Sequence, residues 1–253
     1  MQLVRYEKDK KINYGSLKDG VISKIEGNPF ENYIITDTKE QVEEVKLLFP
    51  CVPTNLYCVG LNFLDHINEL ELPVPEQPAN FLKPVTGICN PGESIEIPKV
   101  ATRVDYEGEM AIVIKDKVKN ISVEEAKKHI FGVTPLNDVT EREMSYVSTQ
   151  VTYSKSFDTF TSFGPIIETN LDPENVILRT YLNGEKVQEA CTCDFLFSAA
   201  YCVSYFSQGR TLYPGDVISL GTPCHVKAME DGDVVEVELE GLELRLKNPV
   251  SKS

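Results

Sequence analysis

The segment RVDYEGEMAIVI begins at Arg103 and carries Glu107 and Glu109 either side of one glycine, inside a run otherwise suited to a strand. Acidic residues are poor strand formers, and a half-buried sheet face has little reason to accept two of them. Side chains two apart on a strand share a face, so the two carboxylates would stand close together. Like charges at that spacing drive one pKa upward unless a cation lies between them. Gly108 leaves backbone space for something to approach. Asp138, in LNDVT, adds a third acid at an expected strand end. With no His or Cys nearby, the three carboxylates form a hard oxygen set that suits Mg²⁺ or Mn²⁺ over zinc. For the Glu-Gly-Glu pair alone, a solvated sheet face is the alternative.

Three further stretches could complete a reaction centre. In GLNFLDHINEL, His66 and Glu69 are three apart and share a helix face, so the carboxylate can fix the imidazole as a general base. A surface helix decorated with the same pair is the alternative. Lys155, in TYSKSFDTFTSFGP, has aromatic neighbours and could stabilise a developing enolate, or else be an exposed lysine. Gly221-Thr222-Pro223 offers the Thr222 hydroxyl and backbone amides at a strand end, suited to one substrate carboxylate.

The wider composition narrows the class. Residues number 253 and the formal charge is −14, so no broadly basic surface exists for nucleic acid. No run approaches the roughly 20 apolar residues of a membrane span. The charged start, MQLVRYEKDKKINYG, lacks an apolar h-region, and a cytoplasmic protein is expected. Seven cysteines without a Cys-x-x-Cys pair read as reduced, partly buried thiols.

The elements that must position these residues are mostly strands. Residues 1–52 read as a small N-terminal module of short β pieces, closed by a helix over KEQVEEVKLLF that ends at Pro50. Residues 53–253 would form the catalytic domain. A short helix is expected at FLDHINELE, while PVPEQPANFLKP is too proline-rich for regular structure. SVEEAKKHIFG reads as a helix with a Ser122/Glu125 capping box and Gly132 as its stop. Asn183-Gly184 marks a hairpin, and FLFSAAYCVSYFSQG a buried helix ending near Gly209. Strands dominate without βαβ alternation, which favours an antiparallel or mixed β-sandwich or roll.

Taken together, CVGLNFLDHINE, FLKP, VDYEGEMAIVI, IFGVTPLNDVTER, KSFDTFTSFGP, NGE, PGDVISLGTP and GDVVEVELEG resemble the fumarylacetoacetate hydrolase family over about residues 55 to 250. The resemblance implies an α+β, predominantly β fold, a mixed β-sandwich roll, in a homodimer. It implies that Glu107, Glu109 and Asp138 hold the metal, that His66 and Glu69 sit on a lid, and that Lys155 faces the reacting group. Three places depart from the family pattern. Ser145 stands where a glutamine is common. Glu141-Arg142-Glu143 replaces Ala-Arg-Asp, leaving Arg142 as a substrate-carboxylate contact. Cys224-His225-Val226-Lys227 follows the Gly-Thr-Pro turn where glycines are usual.

The expected activity is metal-dependent hydrolysis of a C–C bond in a 2,4-dioxo acid of the acylpyruvate type, through an enolate held on the metal. Oxaloacetate decarboxylation and isomerisation of 2-hydroxyhepta-2,4-diene-1,7-dioate use the same enolate and are the alternatives. A non-catalytic, metal-stabilised binding protein is the alternative from another class.

Overall fold

Strand Gly108–Ile114 is buried at every residue and forms the spine of the molecule. The computed structural model describes residues 1–148 and 150–253. On one side the spine pairs antiparallel with Ile130–Asp138, placing Gly108 opposite Asn137 and Glu109 opposite Leu136. On the other it pairs antiparallel with Val217–Ser219. Leu56–Gly60 runs parallel to Val217–Ser219, and Ala79–Lys83 lies antiparallel beyond it. In the opposite direction, Ile166–Glu168 links Ile130–Asp138 to Gln2–Lys8, and Lys11–Lys18, Val21–Gly27 and Tyr33–Gln41 follow. The N-terminal strands are therefore continuous with the main sheet.

Both faces of the spine are apolar because both are covered. Met110, Ile112 and Ile114 pack with Leu178, Val237 and Leu239 of a second sheet, and with Val203 and Phe206 of helix Ala199–Ser207. Ala111 and Val113 point the other way, among Leu3, Leu56, Phe163 and Ile167. Glu109 shares this second face, since it alternates with Met110. The second sheet orders Glu185–Cys191, Ile177–Leu182, Val234–Leu239, Leu246–Lys252 and Ile95–Ile97, with a parallel pair at its end. Strands predominate and the sheets are mixed, as the strand-rich pattern implies. Among the described residues no helix is long and apolar enough to cross a membrane.

Several local expectations hold. Asn183 and Gly184 both take positive φ, at 53° and 82°, in the hairpin turn. The Ser122/Glu125 capping box is complete. Others need correction. KEQVEEVKLLF is not one helix: strand Tyr33–Gln41 runs through its start, a single 3-10 turn spans Val42–Glu44, and Lys46–Leu48 pairs with Arg5–Glu7. Val42, Val45 and Leu47 pack on Val4, Tyr6, Leu17 and Ile22, and that burial overrides the helix propensity of the charged residues. Within the proline-rich stretch, Ala79–Lys83 is a regular strand. Gly132 does not stop a helix; it lies inside Ile130–Asp138, where a Cβ would stand 2.5 Å from the Glu168 carbonyl oxygen. The cysteines are not all free, because Cys191 and Cys193 are joined in a disulfide. The turn after Cys191 folds back so that the Cys193 N–H meets the Cys191 sulfur at 3.2 Å. Cys51, Cys58, Cys89, Cys202 and Cys224 remain thiols.

Candidate active site

The spine and its neighbour bring three acids to one end of the sheet. Glu107 immediately precedes Gly108–Ile114, and Asp138 ends the antiparallel strand Ile130–Asp138. The Glu107 carbonyl accepts from the Asp138 N–H at 2.9 Å, and the Asn137 side chain accepts from the Glu107 N–H at 2.9 Å. One oxygen from each of Glu107, Glu109 and Asp138 lies within 4.8 Å of the other two, and all three residues are buried. A hard, all-oxygen donor set this close fits a Mg²⁺-like cation and does not fit zinc's preference for nitrogen and sulfur.

Cations surround the cluster. Lys155 Nζ donates to Glu107 Oε2 at 2.6 Å, to Asp138 Oδ2 at 2.7 Å and to Thr140 Oγ1 at 2.7 Å. The aromatic ring beneath it is Phe81, 5.0 Å from the ammonium, and not a residue from its own segment. Lys83 is ion-paired with Asp138 Oδ1 and donates to the Phe160 carbonyl at 2.7 Å. Arg142 bridges Asp105, at 2.9 Å from Nε, and Glu107. Glu141 caps the helix that carries Arg142, accepting from the N–H groups of Met144 at 2.6 Å and Thr102 at 2.9 Å.

This environment splits the carboxylates electrostatically. Burial alone would raise Glu107, but Lys155 and Arg142 more than reverse it and hold the carboxyl well below its ordinary range. Glu109 is pushed up to about 8 by burial and by the charges of Asp138 and Glu107. Its Oε2 accepts from the Ser219 hydroxyl and from the Gly221 N–H at 2.9 Å, and no hydrogen bond reaches Oε1 among the described residues. With Glu109 raised to about 8, its carboxyl holds a proton at neutral pH that a divalent cation must displace. Apparent metal affinity should fall roughly tenfold per pH unit below that point. Calorimetric Mg²⁺ titrations at pH 6, 7 and 9 check this, and an affinity flat across that range would contradict it.

A cavity of about 340 Å³ opens onto the cluster, lined by Glu107, Glu109, Asp138, Lys155, Arg142 and Thr222, with His66 and Ser145 on its walls. Helix Leu64–Glu69 forms part of its cover. His66 is buried, with Nδ1 3.1 Å from Glu69 Oε2, while Glu69 itself lies behind the ring and does not line the cavity. Thr222 Oγ1 accepts from Gln188 Nε2 at 3.1 Å, which leaves its own proton to donate. The Gly221 amide expected to meet substrate is committed to Glu109 instead. Ser145 donates to the Arg142 carbonyl at 2.7 Å.

The space beside Gly108 is filled by protein. A Cβ there would stand 1.9 Å from Thr180 Oγ1, on the second sheet. Gly108→Ala should destabilise the fold by about 1–3 kcal/mol through overpacking. Denaturant unfolding measures the loss, and Thr180→Ala in the same chain should recover part of it.

Sequence reasoning passed over Lys83, Asp105, Gln188 and Ser219. Lys83 lies in the quoted FLKP motif, but nothing in a strand-like run says that its ammonium turns inward to an acid 55 residues away.

Residues 55–251 match the model described as fumarylacetoacetate (FAA) hydrolase C-terminal, and residues 1–50 match one described as Rv2993c-like, N-terminal. The chain belongs to the fumarylacetoacetate hydrolase family. An uncharacterised relative from Archaeoglobus fulgidus is 43% identical over 208 residues, 82% of this chain and 83% of its own. A human protein named mitochondrial oxaloacetate tautomerase is 36% identical over 212 residues, 79% of this chain and 68% of its own. Among solved structures, 5-carboxymethyl-2-hydroxymuconate delta-isomerase from Mycobacterium smegmatis superposes with a TM-score of 0.92 at 37% identity, covering all of both chains. The protein is thus an enzyme of the fumarylacetoacetate hydrolase family, and the non-catalytic alternative is set aside.

Proposed function

We propose that this enzyme moves a proton at the carbon next to the carbonyl of a 2-oxo acid, interconverting keto and enol forms of a small dicarboxylate of the oxaloacetate kind. One observation carries the reading: a ring base, an ammonium and three clustered carboxylates face the same cavity. Proton relocation needs no more than these groups, whereas hydrolysis also needs a positioned water. The names of the human tautomerase and the mycobacterial isomerase support the same class.

Glu107, Glu109 and Asp138 would hold Mg²⁺ or Mn²⁺, which when bound polarises the 2-oxo group and offsets charge developing on its oxygen. Glu69 accepts from Nδ1 of His66, fixing the tautomer whose Nε2 takes or returns the proton at carbon 3. Lys155, whose three N–H groups are taken by Glu107, Asp138 and Thr140, would offset charge on that oxygen through its positive charge alone. Arg142 spends Nε and Nη2 on Asp105 and Glu107, leaving Nη1 for a substrate carboxylate, and Thr222 donates its hydroxyl to the same group. The lid keeps bulk water from the site.

Hydrolysis of an acylpyruvate is the second reading. The apolar walls Leu70, Leu72, Phe81 and Val151 favour it, since they would accommodate an acyl group, and His66 would then deprotonate water. A homodimer belongs to the proposal, and sedimentation giving twice the chain mass tests it.

The decisive assay mixes enzyme and Mg²⁺ with enol-oxaloacetate and follows loss of enol absorbance. Ketonisation should run at least about 10²-fold faster than with Mg²⁺ alone, the lower range of base assistance. Acetylpyruvate cleavage without that acceleration would favour the second reading. No acceleration of either would refute both.

A further inference from the structure

His225 holds a left-handed backbone conformation, φ 74°, which a side chain with a Cβ resists. It follows the Gly221-Thr222-Pro223 turn, and the conformation aims its N–H at one target. That N–H lies 2.9 Å from Glu69 Oε1 and 3.1 Å from Oε2. The His225 carbonyl is anchored from behind by the Tyr106 hydroxyl at 2.9 Å. Its imidazole Nδ1 stands 3.8 Å from Glu69 Oε1, on a side chain 66% exposed to solvent. Glu69 in turn is the partner of His66.

The lid helix depends on such ties. Leu64–Glu69 is six residues long, far below the length at which a helix persists alone. Its N-terminal end is held by Phe63 against Phe195, ring centroids 4.8 Å apart, and by Asn62, which accepts from the Phe197 N–H at 2.8 Å. Its C-terminal end meets the 224–225 turn through Glu69.

We propose that His225 is a positioning residue for the catalytic base: its backbone N–H grips Glu69 while its ring lies alongside the carboxylate, seating the lid helix and aiming His66 into the cavity. The inference rests on the reading of His66 as base, but its structural half can be measured without turnover. A strained backbone kept at the one point where it meets the carboxylate of the dyad is what such a role requires.

Two nearly isosteric substitutions test it, since Asn and Asp both tolerate the left-handed region. His225→Asn keeps a donor toward Glu69, and His225→Asp sets a like charge against it. Amide exchange across residues 64–72 should quicken about two- to fivefold in the Asp variant relative to Asn, the scale of an exposed like-charge contact with Glu69. kcat/KM for enol-oxaloacetate should fall by a similar factor, with Mg²⁺ affinity unchanged and the Asn variant close to wild type. Equal lid exchange in Asn, Asp and wild type would overturn the proposal, whatever the activity. Faster lid exchange in Asp with kcat/KM equal to that of Asn would overturn the link to the base. Should exchange differ while no 2-oxo acid is turned over even by wild type, the seating role stands and the proposed reaction falls.

Discussion

His66→Ala should lower turnover of the preferred 2-oxo acid by about 10²–10⁴-fold, the usual contribution of a positioned acid–base group. Mg²⁺ affinity stays close to that of the parent. The dissociation of these two readouts follows from the geometry. His66 lines the cavity but bonds Glu69, while the carboxylate cluster is held by Lys155, Lys83, Arg142 and Ser219. Removing the ring would therefore take away the proposed proton carrier and leave the anionic cage in place. Steady-state rates from enol absorbance, paired with metal titration on the same sample, measure both. Loss of metal binding in step with rate would show that the ring acts on the cage. Full activity would remove His66 from the mechanism.

Asp138→Asn should weaken metal binding at least about 10²-fold and destabilise the fold by about 3–5 kcal/mol, the range for removing one partner of a buried ion pair. Asp138 carries two burdens. It is one corner of the carboxylate triad, and it is the anionic partner of two buried ammonium groups, on Lys83 and Lys155. The Lys83 side chain is fully enclosed, so loss of the opposing charge leaves it without solvent to replace the carboxylate. Adding Lys83→Met to Asp138→Asn removes the stranded charge and should restore much of the stability while metal binding stays weakened. Urea unfolding and calorimetry on the single and double variants separate the two roles. Equal stability of Asp138→Asn and the parent would contradict the ion-pair account.

Much of this arrangement was legible in the sequence, for reasons that differ by residue. Glu107 and Glu109 announce themselves because two acids two apart on an apolar strand defy the burial pattern. Asp138 follows because it closes an apolar run, and the antiparallel register then carries it to the same end of the sheet. The His66–Glu69 spacing survives translation into structure because a three-residue step on a helix is a local property. The missing pieces are non-local. Lys83 reads as a routine polar residue until its strand is placed beside Leu56–Gly60. Gln188 meets Thr222 and Gly108 only after the second sheet folds over the first. Gly108 misled for a related reason, since the space that it leaves is taken by Thr180 from that sheet. The helix expected over residues 39–49 shrinks to the turn Val42–Glu44 because, although its charged residues favour helix locally, Val42, Val45 and Leu47 pack on the N-terminal strands.

The account stands on Glu107, Glu109 and Asp138 jointly gripping a divalent cation, and calorimetric Mn²⁺ titration at pH 9 tests that grip most directly. Saturable binding of one ion per chain is predicted, weakened at least about 10²-fold in each of Glu107→Gln, Glu109→Gln and Asp138→Asn, since a direct ligand should cost no less than the most sensitive outer-shell partner. An ion bound equally well by all three variants, or no saturable binding by the parent, would contradict it.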